Sequence, residues 1–359
     1  MQTPVPYPHD PAQEVLVPVE QLRQVIVAAL VKKSMFQFDA EIVADRMLEA
    51  DLRGIDGHGA VALPRYLGIM DAGNIDPRAR VLTESETAAV AVLDGSRAMG
   101  QVAATKGMQL AMQKASEVGT GTVVIHHSLH FGAAAVYALL AARSGLIGFC
   151  ASNPAGRGVA APGTNYAAVS NAPLAWAIPT SDLDDPIVID FACGAASWGK
   201  LRLLKEYGLP VPTGLIFDAA GEETDDPTQG RVLAPAGVQG FGLGLAMGLL
   251  AGGLSGGKLH HRKTGDFTTE CSEHFLQAID PRHFTDPDRF RARATEAREA
   301  IRSLSPVDPS IPVRVPGDRG RRESQARRDA GIPLHRSLLA ELTAAMSKLK
   351  IACPWAPAN

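Results

Sequence analysis

The sequence predicts an α+β fold with helical N- and C-terminal regions around a β-rich centre. Three observations carry this. Apolar residues recur at helical spacing from Val19 to Lys33 and again from His335 to Leu349. Residues 152–235 hold many prolines and glycines and short β-type runs. Strands and helices do not alternate in the regular way of a doubly wound parallel sheet.

The elements follow in order. Residues 1–17 are proline-rich and read as an extended arm. Pro18 suits a first helical turn, which starts a helix over Val19–Lys33. Asp39 is the expected N-cap of a second helix and Gly54 its stop. The segment GIDGHGAVALPRYLGIMDAG reads as a loop entering a helix that ends near Gly73. A strand is expected at Ala88–Leu93, a helix at Gln101–Val118, a strand at Thr122–His126 and a helix at Gly132–Arg143. Short strands follow at Leu146–Ala151, Leu174–Ile178 and Ile187–Ile189. The chain is helical again at Gly240–Leu254, Asp286–Ser303 and His335–Leu349, with Pro306–Arg328 charged and irregular.

Composition narrows the function. The chain of 359 residues carries a net charge of −3 with mixed signs, so no basic stripe points to nucleic acid or an anionic membrane. The longest apolar run, Phe241–Gly253, is short of the roughly 20 residues a membrane helix needs. The N-terminus lacks the cationic start and apolar core of a signal peptide, so a cytoplasmic location is expected. Cys150, Cys193, Cys271 and Cys353 form no CxxC pair and read as reduced thiols.

Two nucleotide motifs fail. Gly252–Lys258 matches a phosphate loop up to its lysine, but Leu259 stands where a magnesium-binding hydroxyl is needed. Gly240, Gly242 and Gly244 alternate, so the third glycine of GxGxxG is missing. The stretch IHHSLHFG puts His126, His127 and His130 within five positions. It contains no carboxylate and no HExxH, so no metal is expected there.

Two histidines stand out. His130 lies where a strand has ended and a helix is about to begin. At such an N-terminus it either caps the helix or carries a proton, with its pKa lowered by the helix dipole. His58 sits between Gly57 and Gly59, ahead of Arg65 and Tyr66. If a helix starts near His58, Arg65 lies two turns along the same face, and the pair could grip a carboxylate. The alternative is an exposed histidine in a glycine-flanked turn.

The segments DLRGIDGHGAVALPRYL, HSLHFGAAAVYA, NAPLAWAIPT, VIDFACGAASWGKL, GLPVPTGLIFD, GFGLGLAMGLLAGGLSGG, HFLQAID, RVPGDRG and GIPL occur in the expected order. Together they resemble the malate/L-lactate dehydrogenase family of the second type, which includes ureidoglycolate and sulfolactate dehydrogenases and cyclic imino acid reductases. The resemblance implies a non-Rossmann NAD(P)-dependent dehydrogenase fold, with NADPH or NADH as cofactor, a small-molecule substrate and a homodimer. It implies an arm at 1–17, a helical substrate-side region at 18–120, a central cofactor domain at 121–255, and a C-terminal region at 256–359 returning to the substrate-side helices. It makes His130 the general acid/base and places His58 and Tyr66 at the substrate. It places Ser152, Asn153, Asp190, Phe191 and Ala192 at the cofactor.

The chain departs from the family pattern. Gly57 replaces a serine, Ala62 the arginine that grips the substrate carboxylate, Gln239 a cofactor-contacting lysine beside Gly240, and Gly248 a glutamate. The GTNP motif is met only loosely by Ser170–Pro173. The expected reaction is therefore hydride transfer to a C=N or C=O group of a cyclic imine or 2-keto acid type substrate by a diverged reductase, with Gly57 and Ala62 making room, and with either Arg65 as substitute clamp or a substrate that has no free carboxylate. A malate/lactate-type 2-hydroxy acid dehydrogenase and a catalytically impaired scaffold are the alternatives.

Overall fold

The computed structural model describes residues 7–266 and 269–355. Part of the expected arm, residues 1–6, lies outside them. The rest of the arm runs into a strand, β1 (Glu14–Val17), which pairs antiparallel with Ile332–His335 from the far end of the chain. Helices α1 (Val19–Lys32), α2 (Gln37–Leu52) and α3 (Leu63–Asp71) follow. Their apolar faces, with Leu22, Ile26, Leu30, Met47 and Leu63 fully buried or nearly so, close one core. Asp39 does not cap α2. The helix begins two residues earlier, at Gln37, and the buried Asp39 side chain pairs with Lys106 at 3.0 Å.

The second layer is a seven-stranded sheet. In chain order its strands include β2 (Leu82–Glu86), β3 (Val90–Asp94), β4 (Thr120–Ser128) and β5 (Ile147–Asn153). Helix α4 (Gly100–Val118) joins β3 to β4, which run parallel, and α5 (Ala135–Arg143) joins β4 to β5. The apolar run before His126 explains β4: Val123 and Ile125 are fully buried against α4 and α5.

Next come β6 (Val159–Ala160), β7 (Ala167–Val169), β8 (Pro173–Ile178), β9 (Ile187–Ala192) and α6 (Trp198–Glu206). Then come β10 (Ile216–Phe217), β11 (Glu223–Thr224), β12 (Val232–Leu233) and α7 (Gly237–Gly248), which passes into a π-helical turn at Leu249–Gly253. The short strands make a five-stranded sheet of order β11-β10-β12-β6-β7.

Strand β13 (Ser272–Ile279) has no counterpart in the sequence reading, yet it lies in the middle of the large sheet, whose order is β2-β3-β4-β13-β5-β8-β9. The sheet therefore takes strands from either side of the boundaries expected at residues 120 and 255. Helices α8 (Pro287–Arg302) and α9 (Asp318–Ala330), β14 (Ile332–His335) and α10 (Arg336–Lys348) end the described fold. The irregular reading of Pro306–Arg328 misses α9, whose charged sequence has too few apolar positions to show a helical stripe. No described helix is long and apolar enough to cross a membrane.

The two layers meet where a 3₁₀ turn at Asp56–His58 touches the N-terminus of α6. A Cβ on Gly57 would stand 2.8 Å from the carbonyl carbon of Gly199, and one on Gly199 would stand 2.7 Å from the carbonyl oxygen of Gly57. The contact is backbone on backbone, so neither side can yield by rotating a side chain. Gly57→Ala should therefore destabilise the protein by about 1–3 kcal/mol through overpacking. Urea unfolding checks this; an unchanged midpoint would show that the turn relaxes freely.

Candidate active site

A cavity of about 1680 Å³ opens between the two layers. This exceeds the roughly 300–1,000 Å³ of a single small-ligand pocket and leaves room for a substrate beside a larger cofactor. Gly57, His58, Ala62, Arg65, His130, Ser152, Asp190, Phe191, Ala192 and Gln239 line it, so most of the residues expected at the site converge there.

His130 is the centre of this convergence. Its Nδ1 lies 2.7 Å from the Tyr66 hydroxyl and 3.3 Å from Arg65 Nη2. Gln101 Nε2 donates to the Tyr66 oxygen at 3.2 Å. A guanidinium only donates, so Nδ1 is an acceptor and the neutral ring carries its proton on Nε2. The His58 ring stacks on the His130 ring, with centroids 5.8 Å apart and planes 19° from parallel.

The expected reason for the behaviour of His130 is corrected. It does not cap a helix. Strand β4 runs on to Ser128, Gly132 turns with φ +81°, and α5 begins only at Ala135. The N–H of Ala135 bonds Asp190 instead. His130 is still held neutral: burial lowers its pKa well below the ordinary histidine value, and Arg65 and His58 add to this. His58 is lowered to about 4, mainly by burial and then by Arg65 and Lys200. Its Nδ1 is buried without a hydrogen-bond partner among the described residues. Nor is Arg65 two turns along a helix from His58, because α3 starts at Leu63 after two 3₁₀ turns. The cavity nevertheless receives both side chains.

The loop carrying His58 is braced from below. Asp51 Oδ2 accepts the Ala60 N–H at 2.7 Å, and burial raises its carboxyl to about 8. Asp56 pairs with Arg327 and with His9.

The departures from the family pattern also find their places. Gly57 makes no room for a substrate, because the Gly199 backbone fills the space beside it. Ala62 is buried at the cavity wall, while Arg65 is exposed to the cavity. A Cβ on Gly248 would stand 1.7 Å from Nε2 of His260, so that ring takes the volume a longer side chain would need. Asn153, Gly240 and Tyr66 do not line the cavity; Tyr66 is buried and meets the site through its bond to His130. Asn153 Nδ2 donates to Glu273 at 2.7 Å and to the Lys258 carbonyl at 2.8 Å, and Gly240 packs against the Cys193 carbonyl. Ser152 lines the cavity while its hydroxyl donates to the Glu273 carbonyl at 3.0 Å.

Several lining residues escape the sequence reading. Tyr7, Lys200, Arg314 and Arg319 come from distant segments, and the last three bring cations to the cavity. Lys200, Arg314 and Arg319 stand in motifs that carry the resemblance, which was the available signal. The cavity fits a dinucleotide: these cations suit phosphates, and Gly156, Gly158, Gly194 and Gly237 expose backbone to it. Asp190 opens on the same space, its carboxyl raised to about 6 mainly by burial and pulled back by Arg53.

Lys200 gives the site a pH limit. Burial lowers its pKa to about 8, with help from Arg319. The ammonium is charged below pH 8 and loses its charge above it. The KM for an anionic ligand of the cavity should rise as pH increases through about 8, and Lys200→Arg should flatten that rise. Cofactor titrations between pH 6 and 10 check this, and identical profiles for both proteins would refute it.

The profile of the malate/L-lactate dehydrogenase family matches residues 17–343. A malate dehydrogenase of Pyrococcus abyssi is 34% identical over 344 residues, covering 91% of this chain and 93% of that protein. The structure of malate dehydrogenase from Pyrococcus horikoshii OT3 superimposes with a TM-score of 0.88 at 29% identity, covering 97% of this chain and 99% of that one. The crystal structure of delta1-piperideine-2-carboxylate reductase from Pseudomonas syringae gives a TM-score of 0.81 at 25% identity, covering 92% and 99%.

Proposed function

Because the chain belongs to the malate/L-lactate dehydrogenase family, whose members are NAD(P)-dependent oxidoreductases, we propose that it reduces a C=N or C=O carbon next to a carboxylate, in a substrate bulkier than pyruvate. The convergence of Tyr66, Arg65 and His58 on His130 is the observation that carries this reading. The bound nicotinamide supplies the hydride. Ser152, Asp190, Phe191, Ala192 and Gln239, all lining the cavity from the 121–255 segment, would hold the cofactor.

The chain's own residues then handle the proton. Nε2–H of His130 faces the developing alkoxide or amide nitrogen and gives up its proton. The Tyr66 hydroxyl proton passes to Nδ1, so the ring stays neutral throughout. The negative charge moves to the Tyr66 oxygen, where the Gln101 N–H and the nearby Arg65 guanidinium stabilise it. In the oxidation direction the same chain runs backwards. Arg65 also reaches the cavity with donors to spare for a carboxylate, in place of the arginine that Ala62 lacks. Val61, Leu203 and Leu338 give that cavity apolar walls for a substrate body.

A homodimer is part of the proposal. Val238, Leu249 and Leu254, on α7 and the turn after it, are 69%, 50% and 58% exposed, an apolar strip suited to a second copy.

Two measurements test the reading. Tyr66→Phe removes the relay proton and keeps the packing. Its kcat should fall about 100-fold with little change in substrate KM; an unchanged kcat would remove Tyr66 from the proton path. Steady-state assays over oxaloacetate, pyruvate, cyclic imino acids and their esters test the substrate. Free cyclic imino acids should be turned over best, and Arg65→Met should raise their KM roughly 10–100-fold, the loss of one charged hydrogen bond. Best turnover of oxaloacetate or pyruvate would favour the malate-type reading instead.

A further inference from the structure

The sequence leaves the histidine pair of IHHSLHFG without a metal, because no carboxylate stands in that stretch. The sheet supplies one. In the parallel register of β3 and β4, Asp94 stands opposite His126. One donor atom each from Asp94, His126 and His127 lie within 4.8 Å of one another. His127 Nδ1 is 3.4 Å from Asp94 Oδ1, and the two imidazoles meet edge to face with centroids 4.5 Å apart.

Regular strand geometry would not give this cluster. Successive side chains on a strand point to opposite faces, so His126 and His127 should part. They do not, because His127 adopts φ +48°, a left-handed conformation that costs a non-glycine residue energy. A second irregularity lies next to it. The register of β2 against β3 shifts between Thr83 and Ser85, and Glu84, between them, reaches His126 Nε2 at 2.9 Å. Bulges of this kind re-aim side chains. The carboxylate of Asp94 is itself held, accepting the Ser96 N–H at 2.7 Å. Two departures from regular strand backbone thus collect two imidazoles and a carboxylate on one side of the sheet, with a second carboxylate holding one ring.

We propose that Asp94, His126 and His127 bind a divalent transition-metal ion of the zinc, cobalt or nickel class. Two imidazoles with one carboxylate suit these ions and not magnesium or calcium, which take oxygen ligands. Glu84 orients the His126 ring as an outer-shell partner. His127 is exposed and can close the remaining distance by turning its ring. Water completes the coordination. The ion ties β3 to β4 three residues before His130, bracing the segment that carries the histidine of the cavity. This proposal does not rest on the reaction assigned to that cavity.

The test uses the full chain stripped of metal with a chelator and then titrated with Co²⁺ or Zn²⁺. The expected result is one equivalent bound, followed by cobalt absorption and by equilibrium dialysis, with a rise in melting temperature. His127→Asn removes a ligand while keeping a residue that tolerates the left-handed turn. Asp94→Asn removes the charge while keeping an oxygen for Ser96. Each should weaken binding more than 100-fold, whereas Glu84→Gln should weaken it roughly 10–100-fold. His261→Asn, at an exposed histidine elsewhere, should leave it unchanged. Circular dichroism confirms folding, and if one ligand variant fails to fold the other decides. Absence of a saturable equivalent, or binding that survives both ligand substitutions, would overturn the proposal.

Discussion

The hydrogen bond between Tyr66 and His130 ties the helical layer to the sheet at the floor of the cavity. Tyr66 is a buried member of the N-terminal helical core, whereas His130 follows strand β4 of the large sheet. Each side chain sets the chemistry of the other. The Tyr66 hydroxyl and the Arg65 guanidinium both occupy Nδ1, which leaves Nε2 as the ring's proton-bearing nitrogen. Burial keeps the ring neutral. Without this junction the cavity would be a cleft between two layers, with a histidine of undefined tautomer.

The backbone contact of Gly57 with Gly199 is a second junction, between the helical layer and α6. It also changes the meaning of the lost serine. A glycine that seems to enlarge a substrate pocket is in fact filled by backbone. The space at that part of the cavity is set instead by Ala62, Arg65 and the apolar residues around them. Arg65 acts twice, lowering the pKa of both histidines and presenting donors to the cavity.

Behind the wall that carries Ser152, a buried polar network stiffens the sheet. Lys263 and Glu273 pair at 2.9 Å with almost no exposure, and Asn153 bonds the same carboxylate. His274, its pKa lowered to about 3 by burial, bridges the hydroxyls of Ser128 and Ser152 and stacks on Phe131, next to His130. Burying these charges costs desolvation, which close pairing offsets. The network fixes the position of β13 and of the residues leading to His130.

The sequence by itself determined the coarse α+β class, most helices and the strands of the sheet that alternate with α4 and α5, and it singled out His58 and His130, which the fold brings to one cavity. Those features rest on local periodicity, on glycine placement and on motifs in register. Tertiary structure decided the rest. β13 was illegible because its eight residues, SEHFLQAI, bury polar and apolar side chains alike and show no clean alternation. α9 was illegible because its sequence is charged on nearly every face. The tautomer of His130, the filling of Gly57 by Gly199, the retreat of Asn153 behind the wall and the arrival of Asp94 beside His126 all depend on contacts between residues far apart in the chain. Proton placement, packing and coordination are set by which atoms meet, and a linear pattern does not carry that information.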